Sequence, residues 1–260
     1  MKKEKIFKNL YKNHEYILHY AGIMLKQRVA GNYLGFLWLF IQPFMFMLIY
    51  SFVVMVLFAN RTENFNILVI IGLNAWTLFQ RTVMISSTSI VRNKVVFEQV
   101  YFHKFVYPAI YLVSYMYEFL IATGLVVIML VYSGIPITWH FLEMIPVLLS
   151  AMLFSFGCGL IVAHIGVYLF DLPNILEFSL RFIFYLSPIM WTFDQRNFPF
   201  MWLLQWNPIA VIIGSFRSCM LYGKSPVYWY LLVISLCSCV LIYIGYSLIS
   251  RYEDEYARII

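Results

Sequence analysis

Residues 26–59, KQRVAGNYLGFLWLFIQPFMFMLIYSFVVMVLFA, decide the class of this chain. Lys26 and Arg28 stand just ahead of Leu34, and from Leu34 to Ala59 no side chain is charged at neutral pH. Those 26 residues make roughly 39 Å of helix at about 1.5 Å each, enough to cross a hydrocarbon core of about 30 Å with some tilt. The run is too long for a secretory h-region of about 7–15 residues, and no small-residue cleavage pattern follows it, so it reads as a retained membrane span. Pro43 removes one helical N–H and Gln42 beside it is polar. Two readings fit that pair: a kink with a wetted wall, or a proline tolerated in an ordinary span.

The whole chain agrees with its first span. Of its 260 residues, 63% are hydrophobic and 12% charged, against about 45–50% and about 25% in soluble domains, and the mean hydropathy is +0.81. This is the composition of an all-α, polytopic membrane protein. Its 20 tyrosines supply amphipathic rings for interfacial belts or for the wall of a pathway. The net charge of +6 is scattered between apolar runs and forms no long basic block, which fits attraction to anionic membrane lipid and excludes a nucleic-acid surface. The four cysteines make no CxxC pair and read as small apolar residues, with no metal site or disulfide framework.

Reading outward, residues 1–33 form a basic, partly amphipathic segment that lies along the cytoplasmic face of the membrane, or serves only to set topology. Six spans follow within 34–250, at about 34–59, 67–91, 105–132, 141–170, 175–193 and 228–249. The second carries Asn74, Gln80, Arg81 and the run Ser86-Ser87-Thr88-Ser89, so it must face protein or water, as the wall of a pathway would. Arg81 and Glu118 match in depth and are expected to pair. In the fourth span Ser155, Gly157, Gly159, Ala163 and Gly166 offer close helix contact, and His164 reads as a hydrogen-bonded packing residue. In the fifth, Glu177 and Arg181 are spaced i,i+4 in the favourable order for a local ion pair; a contact of Arg181 with substrate phosphate is the other reading. Residues 194–226 are too apolar for a solvated loop and too broken to span, which predicts re-entrant helices on the outer side. A charged cytoplasmic tail occupies 251–260. With both termini inside, twelve Lys/Arg fall inside, four outside and two within spans, in accord with the positive-inside rule.

Several local patterns together carry a family resemblance. The run LG-x-x-W-x-x-x-x-P at Leu34-Gly35, Trp38 and Pro43, preceded by Arg28, resembles the start of the first span in permease subunits of type 2 ABC exporters of the O-antigen, polysaccharide and teichoic acid export family. So do N-x-x-x-x-x-x-V-Y-F from Asn93 to Phe102, Ser187-Pro188-Ile189, Asn207-Pro208, and Arg217 ahead of Tyr222-Gly223. The chain departs from the pattern at His103, where proline is frequent, and at Phe170, where arginine is usual.

The resemblance implies a homodimer with a central pathway in the bacterial cytoplasmic membrane, bound to two copies of a cytoplasmic ATPase subunit that holds the ATP and Mg. This chain would then need no cofactor of its own, and its cargo would be a glycopolymer linked to undecaprenyl diphosphate. The segment 92–104, a short helix or a plain loop by its residues, would be the coupling helix, with Val95, Val96, Phe97, Glu98, Val100 and Tyr101 available to enter a groove of the ATPase. Trp38, Gln42 and Met45, on one helical face by spacing, and Tyr185 and Trp191 are expected to line the pathway. Lys26 and Arg28 are candidates for the lipid diphosphate.

No GxxxxGK[ST] loop, HExxH or GxSxG occurs in the chain, so a nucleotide must bind elsewhere and no enzymatic constellation is in view. The competing readings are an ABC permease for a drug, ion or lipid, a proton-coupled transporter using Glu118 and His164, and a membrane-embedded transferase.

Overall fold

The computed structural model describes residues 13–57, 63–93, 103–191 and 206–259. Among these the regular structure is entirely helical. Helix α1 (His14–Val29) leads to a 3-10 turn (Gly35–Leu37), α2 (Trp38–Phe52) and a π-helical turn (Val53–Leu57). Then come α3 (Phe65–Arg92), α4 (Val106–Tyr132), a 3-10 turn (Trp139–Glu143), α5 (Met144–Tyr168), α6 (Leu172–Leu186), α7 (Pro208–Met220) and α8 (Tyr228–Ile259). Five stretches are long and apolar enough to cross a bilayer: Gly35–Met55, Phe65–Arg92, Val106–Tyr132, Trp139–Tyr168 and Tyr228–Tyr256. The chain is therefore a multi-pass membrane protein.

The expected span at 175–193 takes the form of the shorter α6, whose 15 residues rise only about 22 Å. Its ends follow from local chemistry. Pro173 sits in the first turn, where a missing N–H costs nothing, and Ser187, held extended ahead of Pro188, ends the helix.

Helix α3 is the centre of the bundle. Of its most apolar stretch 72% is buried, against 22% in the first and last spans, so the polar second span is a core element. Its serines face protein: Ser86, Ser87 and Ser89 are buried, the first two against α5. A Cβ on Gly166 would stand 1.8 Å from the Ser87 carbonyl oxygen, and one on Gly159 2.9 Å from Ser86 Oγ. On its other side α5 meets α8, where a Cβ on Gly157 would stand 2.8 Å from Leu241 Cβ and one on Gly245 2.6 Å from Leu160 Cβ. Small residues let these backbones approach, which is how helices associate where lipid removes the hydrophobic drive.

Helix α1 runs beside the first half of α4. Ile17 and Ala21 are buried with Val106, Ala109 and Ile110, and Arg28 reaches Tyr115 and Glu118 two turns farther along. At this same end of the bundle α8 continues past residue 251, packing on α5 and reaching the residues just ahead of α4. Tyr256 is fully buried and its Oη lies 2.7 Å from His164 Nδ1, the packing role expected of that histidine. Glu253 accepts the Lys104 N–H at 3.0 Å, just ahead of α4.

Candidate functional site

Helices α2, α3 and α6 enclose a cleft. Its first part, between α2, α3 and α4, is lined by Leu39, Gln42, Pro43 and Phe46, by Leu73, Asn74, Thr77, Leu78 and Arg81, and by Tyr115, Glu118, Phe119 and Ala122. Its second part shares Phe46, Leu73 and Thr77, then opens toward α6 between Tyr50, Trp76, Gln80, Glu177, Arg181, Phe184 and Tyr185. Rings and polar groups alternate along this wall. Trp76 Nε1 donates to Gln80 Oε1 at 2.7 Å, Arg181 Nη2 to Glu177 Oε1 at 2.8 Å, and the Tyr50 ring lies 5.6 Å from Phe184. In a membrane-spanning bundle such groups are stable only where protein or water meets them.

The charged centre of the cleft is a three-residue cluster. Arg81 Nη1 donates to Glu118 Oε1, the pairing expected from depth, while Arg28 Nη1 from α1 donates to Glu118 Oε2. The Arg28 guanidinium also lies 4.3 Å from the centroid of the Tyr115 ring, a cation–π contact. Asn74 Nδ2 beside it donates to the Phe119 carbonyl at 3.2 Å and to Thr123 Oγ1 at 3.1 Å, tying α3 to α4. The part of Arg28 was not readable in the sequence, because nothing there says that α1 turns toward α4.

The other expected residues divide. Gln42 and Tyr185 line the cleft, whereas Trp38 and Met45 are exposed outside it and Leu39, Pro43 and Phe46 form the wall at their level. The reason is that a helix apolar all round gives periodicity nothing by which to choose a face. Trp191 contributes through its backbone, its carbonyl accepting from Arg217 Nη1 at 3.3 Å. Lys26 is exposed, close to the cluster in sequence. The coupling candidates Val95, Val96, Phe97, Glu98, Val100 and Tyr101 lie outside the described residues. Among the described residues no group of His, Cys, Asp and Glu is arranged to hold a metal.

Arg217 has a part that sequence reading missed. Its side chain is buried, donating from Nε to Leu68 O at 3.2 Å and from Nη2 to Ile189 O at 2.7 Å as well as to Trp191 O. Those carbonyls belong to α3 and to the turn after α6, so this one guanidinium joins three elements behind the cleft. The signal was present in the spacing of Ser187-Pro188-Ile189, Asn207-Pro208 and Arg217, but only the fold brings those pieces together. Asn207 completes the joint, its Oδ1 accepting from Ile209 N at 3.0 Å to cap α7 and its Nδ2 donating to Ser187 Oγ at 3.3 Å.

A family profile described as ABC-2 type transporter matches residues 21–221, a range that takes in the cleft, the Arg28–Glu118–Arg81 cluster and Arg217. The O-antigen export system permease protein RfbA of Klebsiella pneumoniae is 24% identical over 237 residues, 91% of each chain. Its namesake in Myxococcus xanthus is 24% identical over 256 residues, 98% of each chain.

Proposed function

Because this chain belongs to the ABC-2 type transporter family, we propose that it is the transmembrane subunit of an ATP-driven exporter that moves an O-antigen-type polysaccharide, linked to undecaprenyl diphosphate, from the cytoplasm to the outer side of the bacterial inner membrane. The observation that carries this reading is the cleft itself, an aromatic and polar wall running from Tyr115 to Tyr185 inside a membrane protein whose full-length relatives are named for O-antigen export. Rings can stack on sugar faces, and Gln42, Thr77, Gln80, Glu177 and Arg181 can exchange hydrogen bonds with successive hydroxyls, so a polymer is held at many weak contacts and still slides.

The working unit in this reading is a homodimer with two ATPase subunits. The sparsely buried α2 and the exposed Phe178 and Phe182 of α6 support a second copy closing the cleft into a conduit. The segment 92–104 docks the ATPase, α6 supplies the short fifth of six crossings, α7 is re-entrant, and both termini are cytoplasmic. Lys26 and Arg28 draw the diphosphate to the cleft.

Deletion of this chain in its host tests the reading. Surface polysaccharide is expected to disappear while lipid-linked polymer accumulates inside, and Tyr185→Ala and Gln42→Ala are expected to restore export only partly. Unchanged surface polymer, or solute transport by the purified chain without an ATPase, would overturn it.

A further inference from the structure

Two guanidiniums meeting one carboxylate inside a membrane protein leave one positive charge without a partner in the cluster, and the geometry around it is that of an anion site. Arg28 and Arg81 come from separate helices and donate to different oxygens of Glu118. Their side chains are 30% and 26% exposed, whereas that of Glu118 is 12% exposed. Arg81 and Glu118 both line the cleft, and Arg28 reaches Glu118 from α1 beside them. Arg28 is additionally held on Tyr115, a contact that does not depend on Glu118.

We infer that Arg28 and Arg81 form a cradle for a phosphate group in the cleft, and that the Glu118 carboxylate is a built-in competitor which the arriving phosphate displaces from the two guanidiniums. A phosphate offers more oxygens than a carboxylate and suits the forked donors of arginine. Gln42 and Thr77 line the same part of the cleft as Arg81. Displacement makes binding reversible, since Glu118 recaptures both arginines as the phosphate departs, and a site with no internal competitor would hold a passing anion too long. It also loosens the tie between α1 and α4, so occupancy of the cleft is felt at the cytoplasmic helix. The inference rests on the export reading only for the source of the phosphate, a lipid diphosphate.

The test uses the full chain with its ATPase partner in phosphatidylcholine nanodiscs, with labelled farnesyl diphosphate as the probe and farnesol as the uncharged control. Saturable binding of the diphosphate alone is expected. Arg81→Gln should weaken it by about tenfold or more, Arg81→Lys by less, and Glu118→Gln should tighten it several-fold, since the competitor is gone. That opposition of sign separates a ligand cradle from a structural ion pair, in which both changes merely loosen the bundle. Equal effects of Arg81→Gln and Glu118→Gln, no effect of either, or binding of farnesol as strong as that of the diphosphate would overturn the inference. Should Arg81→Gln not assemble, Glu118→Gln decides alone: tighter binding supports the cradle, and unchanged or weaker binding removes it. Competition by inorganic pyrophosphate would assign recognition to the free headgroup, and competition by phosphatidylglycerol to lipid phosphates in general, either one supporting the cradle. If the probe behaves as expected while deletion of the chain leaves surface polysaccharide intact, the cradle stands and the export reading falls; the reverse pattern removes the cradle and leaves export standing.

Discussion

A Cβ placed on Gly72 would stand 3.0 Å from Nη2 of Arg217 and 3.3 Å from the Ile189 carbonyl oxygen that this nitrogen donates to. Arg217 can therefore reach its carbonyls only because α3 has no side chain at that point. Gly72→Ala must push the guanidinium aside and is expected to cost about 1–3 kcal/mol. Arg217→Ala leaves the Ile189 and Trp191 carbonyls without their donor, at roughly 1–3 kcal/mol for each one left unsatisfied. Thermal unfolding in detergent checks both, and additive losses in Gly72→Ala/Arg217→Ala would show that the two residues do not act on the same joint.

The contact of Gly166 with Ser87 leaves no such room. A Cβ there would overlap a backbone oxygen at 1.8 Å, so Gly166→Ala must part α3 from α5 and is expected to destabilise by about 3 kcal/mol or more. Gly22, with nothing within 4 Å of its ideal Cβ, is the control: Gly22→Ala on α1 should stabilise by about 0.5–1 kcal/mol through helix propensity. Melting temperatures of the two variants, falling and rising respectively, are the measurement.

Glu118 should couple energetically to both of its arginines. Double-mutant cycles with Arg81→Ala and Glu118→Ala, and with Arg28→Ala and Glu118→Ala, are expected to give interaction energies of about 0.5–3 kcal/mol. Denaturation curves in detergent supply the values, and additivity in the first cycle would show that the α3–α4 pair contributes nothing to the fold.

Glu253 joins the end of α8 to the start of α4. Burial lowers the pKa of the nearby Lys104 ammonium from its ordinary value, while the Glu253 and Asp254 charges act in the opposite sense. A lowered lysine pKa means that the unfolded chain binds more protons than the folded one as pH nears 10.5, so this group's contribution to stability improves as pH rises toward that value. Glu253→Ala removes the counter-charge and the acceptor of the Lys104 N–H, and is expected to cost about 1 kcal/mol at neutral pH. The deficit should shrink as pH rises past 10.5, above which Lys104 is neutral in both states. A pH series of melting temperatures for the wild type and the variant checks the trend.

Much of this protein was legible before any fold was known. Long runs without charge determine membrane spans because a bilayer accepts little else, and the depth of Arg81 and Glu118 within their runs was enough to pair them. The i,i+4 spacing of Glu177 and Arg181 determined their bond, and the small residues from Ser155 to Gly166 marked α5 as a close-packing helix.

What the residues could not decide was direction. The serines of α3 could have faced water or protein, and only the position of α5, admitted by Gly159 and Gly166, buries them. The first span is apolar on every side, so its cleft face is defined by the neighbours that put Gln42 and Phe46 in the cleft and leave Trp38 and Met45 outside. Arg28 and Arg217 each act across sequence separations of 90 and 149 residues, on Glu118 and on the Leu68 carbonyl. Hydropathy and spacing are properties of one helix at a time. The partners of a buried charge are set by how helices pack, and that is a property of the whole bundle.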